Sequence, residues 1–215
     1  MIESRVIAAV VLAAGTSHRF GSRKMLAPIA GRPLVRWTVE HVLASRVDEV
    51  VVVAGGDAME ARDALAGLPV RVVANARAAE GLSTSLHAGI AALAESIRAA
   101  VIVLGDQPSV EPDVIDQLID AHRGSGKPIV VPLYRGTRGN PVLFDASLFD
   151  ELRAVRGDRG ARDVIARDPS RVASVRLDLP LPPDVDHPDD LRSLERQLAM
   201  SAASAEPRSP RRTRI

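Results

Sequence analysis

Five strand-length runs of nearly unbroken apolar residues set the tightest limit on how this chain folds. They are VIAAVVLAA (6–14), EVVVVAG (49–55), VRVVAN (70–75), AAVIVLGD (99–106) and PIVVPLY (128–134). Continuous rather than alternating apolarity means that both faces of a sheet are covered. Helical patterns fill the gaps between runs. Val35, Val39, Val42 and Leu43 follow Pro33, Leu86, Ile90 and Leu93 follow Gly81, and Val114, Ile115, Leu118 and Ile119 follow Pro112. Proline in a first turn is a helix-start signal. Strand and helix in alternation predict right-handed crossovers, hence an α/β chain of three layers with a mainly parallel central sheet. Farther on, 171–178 reads as a strand and Pro188 to about Leu198 as a last helix.

The core of such layers is built here from small aliphatics, because the 215 residues include only three Phe, one Trp and one Tyr. There is no cysteine, which removes disulfides, thiolate metal sites and a Cys nucleophile. The five histidines show no ligand spacing and there is no HExxH, so zinc hydrolysis and acyl transfer fall away. No apolar run is long enough to span a bilayer, and the chain reads as cytoplasmic. The last fifteen residues carry four Arg and one Glu, so the remainder sits at −2 against +1 for the whole chain. That body charge does not suit nucleic acid. The reading is one domain over 1–199 and a disordered basic tail over 200–215.

Ligands of parallel sheets bind outside the carboxyl ends of the strands, so the segments after each run are the ones that meet: 13–24, 55–57, 75–85 and 105–108. The first, GTSHRFGSRK (15–24), combines glycine, which lets backbone approach an anion, with the charges of Arg19 and Lys24. Its spacing fits neither the P-loop nor Gly-x-Gly-x-x-Gly. Asp106 ends a strand, where a carboxylate suits Mg²⁺ or caps the next helix. Asp184 and Asp186 alternate on an extended segment before Pro188, and Asp186 is likewise either a cation ligand or a cap. Ser83, Thr84 and Ser85 follow Gly81 at a helix start, as caps or as ligand contacts. GNPVLF (139–144) and GDRGAR (157–162) read as substrate loops or plain turns.

Taken in order, LAAGTSHRFGSRK (12–24), LGDQP, GNPVLF, GDRGAR and DVDHPDDL resemble the motif set of the MobA-like NTP transferases, over about residues 5–198. The second-half motifs look like those of the molybdenum cofactor cytidylyltransferase branch. The resemblance implies a Rossmann-like nucleotidyltransferase fold. It also implies nucleotide contacts from Leu12, Ala13, Ala14, Gly15, Gly81 and Ser85, phosphate contacts and catalysis from Arg19, Lys24 and Asp106, and Mg²⁺ held by Asp106 and Asp186. Asn140, Asp158 and Gly160 would lie near the acceptor. Ala14 goes with cytidine in this family, where guanylyl-transferring members usually carry a second glycine. Asn140 and His187 depart from the branch, which more often has His and Thr there.

The implied reaction moves CMP from CTP to a phosphorylated acceptor, with Mo-molybdopterin favoured, pyrophosphate released, and a molybdenum hydroxylase or its maturation chaperone as partner. An acceptor phosphate is already ionised at neutral pH, so no strong general base is required. Alternatives on the same fold are GTP, another phosphorylated acceptor, or an NAD(P)H-dependent enzyme similar to nicotine blue oxidoreductase.

Overall fold

The computed structural model describes residues 6–15, 20, 23–158 and 160–204, with side chains in the last helix described to 196. Strand β1 (Val6–Ala13) is followed by a 3-10 turn at Lys24–Leu26 and a small antiparallel hairpin of β2 (Pro28–Ile29) and β3 (Arg32–Pro33). Then come α1 (Leu34–Leu43), β4 (Glu49–Ala54), α2 (Ala58–Ala64), β5 (Arg71–Ala74), α3 (Leu82–Ala91), β6 (Ile97–Leu104) and α4 (Pro112–Ser125). The second half adds β7 (Ile129–Tyr134), β8 (Thr137–Arg138), β9 (Val142–Asp145), α5 (Phe149–Ala154), α6 (Arg162–Arg167), β10 (Val172–Leu177) and α7 (Pro188–Ser204).

The main sheet runs β10-β7-β9-β6-β1-β4-β5, with β8 pairing on β7. β1 lies parallel to β4 and β6, β4 to β5, and β7 to β10. The mainly parallel α/β sheet read from the sequence is therefore present, with one departure. GNPVLF does not form a substrate loop: Val142–Asp145 is a strand threaded antiparallel between β6 and β7. Val142, Leu143 and Phe144 are buried there, so both faces of this short strand are covered like those of its parallel neighbours.

Alternation along β1 sorts its residues into two layers. Ile7, Ala9, Val11 and Ala13 pack with Val35, Val39 and Val42 of α1 and Ile115, Leu118 and Ile119 of α4. Ala8, Val10 and Leu12 pack with Leu86 and Ile90 of α3 and with Phe149 and Leu152 of α5. The small aliphatics bring helices close. A Cβ added to Gly89 of α3 would collide with the Val10 side chain and press on Val53 at 3.2 Å.

A satellite core of Ile29, Leu34, Val185 and Leu194, flanked by Trp37 and Leu191, pins α7 to the hairpin. The Trp37 Nε1–H donates to the Ile29 carbonyl at 3.0 Å. This packing fixes the segment that carries Asp184 and Asp186. α7 passes its expected end near Leu198 and continues to Ser204, so residues 200–204, read from the sequence as disordered tail, are helical. The reason lies in AMSAAS (199–204), whose alanines favour helix. Residues 205–215 lie outside the described residues.

Candidate active site

The site forms where the sheet's carboxyl ends open, and its centre is a buried lysine. The 3-10 turn after β1 points Lys24 inward, where it is 7% exposed. Its ammonium donates to Asp106 Oδ2 at 2.7 Å and to Asp186 Oδ1 at 3.2 Å. Asp106 follows β6, and the segment 184–186 is stitched onto it: the Val185 N–H donates to the Asp106 carbonyl at 3.0 Å, and Gln107 Nε2 donates to Asp184 Oδ1 at 2.7 Å. Asp190 accepts the N–H groups of Asp186 and His187, which opens α7 directly after the acidic segment. Capping by Asp106 is ruled out, since α4 begins at Pro112 with Glu111 as its N-cap.

Burial pushes the Asp106 carboxyl above the ordinary aspartate range, and nearby Asp184 adds to this, while the Lys24 ammonium pulls it back down. The charge on Asp106 thus depends on a cation at this spot. Among the described residues, no group of three or more His, Cys, Asp or Glu could cage a metal. Two carboxylates converging on one positive atom do fit a divalent cation whose remaining ligands are phosphate oxygens and water, the usual arrangement for Mg²⁺.

The backbone around this centre is tight. The Gly105 N–H donates to the Leu12 carbonyl at 2.9 Å, and the buried Thr38 hydroxyl donates to the Gly105 carbonyl at 2.9 Å. A Cβ on Gly105 would lie 3.0 Å from the Ala13 Cβ. The Leu12 carbonyl therefore accepts from the residue just after β6, and Leu12 borders the cavity beside it.

Two neighbouring cavities share Ala14, Gly15, Met25, Ala78 and Ala79, with Lys24 on the wall of the first and Asp106 on that of the second. One, of about 460 Å³, runs from Lys24 and Arg23 past Ala14 and Gly15 to Gly55, Gly56, Asp57, Asn75 and Ala76. The other, of about 490 Å³, is bounded by Leu12, Ala14, Gly15, Gly81, Ser85, Asp106 and Asp158. Gly81 is essential to its wall: φ is +113°, and a Cβ would stand 2.6 Å from Asp158 Oδ1. Asp158 accepts the Leu82 N–H at 3.3 Å, so its side chain closes over the start of α3. Gly160, at φ +55°, packs under Leu82.

The structure thus brings together Lys24, Asp106, Asp186, Ala14, Gly15, Gly81, Ser85 and Asp158. It does not bring Asn140 to them: its carbonyl accepts the Tyr134 hydroxyl at 2.7 Å in the turn before β9, and neither cavity wall includes it. Arg19 falls outside the described residues. Sequence reasoning missed Asn75, a buried residue whose Nδ2 donates to Thr84 Oγ1 and Ser85 Oγ while Oδ1 accepts the Arg77 N–H. Its signal was an Asn directly after a strand with hydroxyls nine and ten positions on.

The MobA-like NTP transferase domain family matches residues 9–173, which take in most of β1, all of β6 and the lining of both cavities. The chain belongs to this family. A solved structure of similar shape is a nucleotidyl transferase from Methanothermobacter thermautotroptrophicus, 26% identical with a TM-score of 0.78, covering 92% of this chain and 100% of that one. Rv0371c from Mycobacterium tuberculosis H37Rv, in a crystal complex with manganese, is 31% identical with a TM-score of 0.75, covering 88% and 98%. A Thermococcus gammatolerans protein named probable molybdenum cofactor guanylyltransferase is 35% identical over 133 residues, covering 61% of this chain and 65% of its own length. The chain spans less than two thirds of the length of the curated relatives it matches first. No helix among the described residues is long and apolar enough to cross a membrane.

Proposed function

We propose that this chain is a cytidylyltransferase: it transfers CMP from CTP to a phosphorylated acceptor, with Mo-molybdopterin the favoured acceptor. The observation that carries the reading is the Lys24 ammonium held between Asp106 and Asp186, with Lys24 lining one cavity and Asp106 its neighbour. An acceptor phosphate oxygen attacks the α-phosphorus, and the bond to the β-phosphate oxygen breaks to release pyrophosphate. Lys24, with Arg19 five residues before it, neutralises charge that grows on the transferring group; such positioning and electrostatics dominate phosphoryl chemistry. Ser85 and the backbone at Ala14, Gly15 and Gly81 hold the nucleotide, and Asp158 and Gly160 border the acceptor side. Mg²⁺ held by Asp106 and Asp186 would supply charge neutralisation at the phosphates; the manganese bound by the Mycobacterium neighbour supports a divalent site.

Ala14 favours CTP. The guanylyltransferase relatives favour GTP as the second reading. We place the enzyme in the cytoplasm as one domain over 1–199, handing its product to a molybdenum hydroxylase or that enzyme's chaperone. The test is pyrophosphate release with Mg²⁺, each of the four NTPs and molybdopterin. Turnover with CTP, and a loss on the order of 10²–10³ in kcat for Lys24→Ala and Asp106→Ala with the fold intact at the assay temperature, is the expected result. Turnover with GTP alone overturns the nucleotide assignment. NADPH oxidation without turnover of any NTP overturns the transferase reading.

A further inference from the structure

The first cavity holds one polar side chain with no hydrogen-bond or ion-pair partner among the described residues. Among the described residues on its wall, only Arg23, Lys24, Asp57 and Asn75 carry polar side chains. Lys24 is committed to Asp106 and Asp186, and Arg23 pairs with Glu60 at 2.7 Å. Asn75 gives both amide hydrogens to Thr84 and Ser85 and takes the Arg77 N–H. Asp57 is different. It is the N-cap residue of α2, yet its carboxylate makes no capping bond to that helix, and it has no ion-pair partner among the described residues.

Its position matters as much as its freedom. Asp57 follows β4, two strand spacings, about 10 Å, from the Asp106 end of β6 in the β6-β1-β4 order. A carboxylate there repels phosphate and accepts only from a donor. Gly55 and Gly56 precede it and leave that part of the wall free of side chains.

We propose that Asp57 is the base-reading residue of the nucleotide site, accepting from the exocyclic amine of an amino-bearing base and turning away a base that presents a carbonyl there. This deepens the nucleotidyltransferase reading and rests on it. Cytosine offers its 4-amino group to the carboxylate, whereas uracil opposes it with oxygen. Asn75 lines the same cavity, and because one of its amide hydrogens goes to Ser85 Oγ, the Ser85 hydroxyl on the neighbouring cavity keeps its own hydrogen to donate.

The test is calorimetric titration of the full chain with Mg²⁺ and the matched pairs CTP/UTP and GTP/ITP, without acceptor. Wild type is expected to favour the amino member of at least one pair. In Asp57→Asn, whose amide can donate to a carbonyl, that preference falls about 10- to 100-fold, the worth of a hydrogen bond to a charged group, while melting behaviour is kept. An unchanged preference in Asp57→Asn and Asp57→Ala overturns the inference, and so does an equal loss for every NTP, which marks a sugar contact. Wild type that binds no nucleotide overturns the nucleotide reading itself.

Discussion

Replacing Lys24 by methionine keeps most of the side chain's length and removes its charge, which isolates what the ammonium does in the unliganded protein. At an effective dielectric of about 20, contacts at 2.7 and 3.2 Å represent roughly 6 and 5 kcal/mol of gross attraction. Most of that is offset by dehydrating three charges. What remains after the substitution is the cost of two carboxylates facing each other without a cation. Removing one partner of a buried pair typically costs 3–5 kcal/mol; with Asp186 38% exposed and partly hydrated, about 3 kcal/mol is expected. For a chain of this size that is a fall of roughly 6–12 °C in Tm. Thermal melts in EDTA measure it, alone and in a cycle with Asp106→Asn. If the reasoning holds, Lys24→Met costs far less in the Asp106→Asn background, because the stranded charge is gone. Equal costs in both backgrounds would refute it.

Two further expectations concern the framework. Gly89→Ala should destabilise by about 1–3 kcal/mol in denaturant unfolding through overpacking against Val10, although alanine is the better helix former by roughly 1 kcal/mol; a stabilised variant would show that α3 stands off β1. Burial pushes the Asp145 carboxyl up, but the Ser147 N–H and the His122 ring together bring it below its ordinary value. A lowered folded-state pKa gives stability that is present above the unfolded value of about 3.9 and lost as pH falls through the folded one. Asp145→Asn is therefore expected to be about 1 kcal/mol less stable at pH 7 and to close on wild type in melts toward pH 3; a gap that stays constant contradicts this.

What could be read from the sequence was whatever a short window decides. Unbroken apolar runs marked β1, β4, β6 and β7, and the strand-end rule pointed to Lys24, Asp106 and the 75–85 segment before any coordinates. Partnerships across the chain were out of reach. Lys24 meets Asp106 and Asp186 over separations of 82 and 162 residues, and no local pattern specifies that both carboxylates fall on one ammonium. β9 escaped because four residues after a Gly-Asn-Pro sequence carry too little periodicity to distinguish strand from loop. Asn140 shows the same limit: a polar residue after glycine reads as a ligand contact, and only the structure shows its carbonyl accepting from Tyr134, apart from the two cavities. Asp57 was placed only as part of the strand-end segment 55–57; that it opens α2 without capping it needed the structure.

The antiparallel insertion of β9 also governs the order in which a growing chain can be completed. β1, β4, β5 and β6 contact one another without anything beyond residue 104, so they can associate while the rest is still being made. Until residues 142–145 emerge, however, Ala99–Ile102 of β6 presents an unpaired apolar edge, the kind of surface that recruits other strands. β7 is synthesised in that interval but cannot take its final place, since β9 must enter between it and β6. A product truncated between residues 105 and 141 would thus be sticky rather than merely incomplete. A split of the gene for fragment complementation should keep β9 on the same piece as β6.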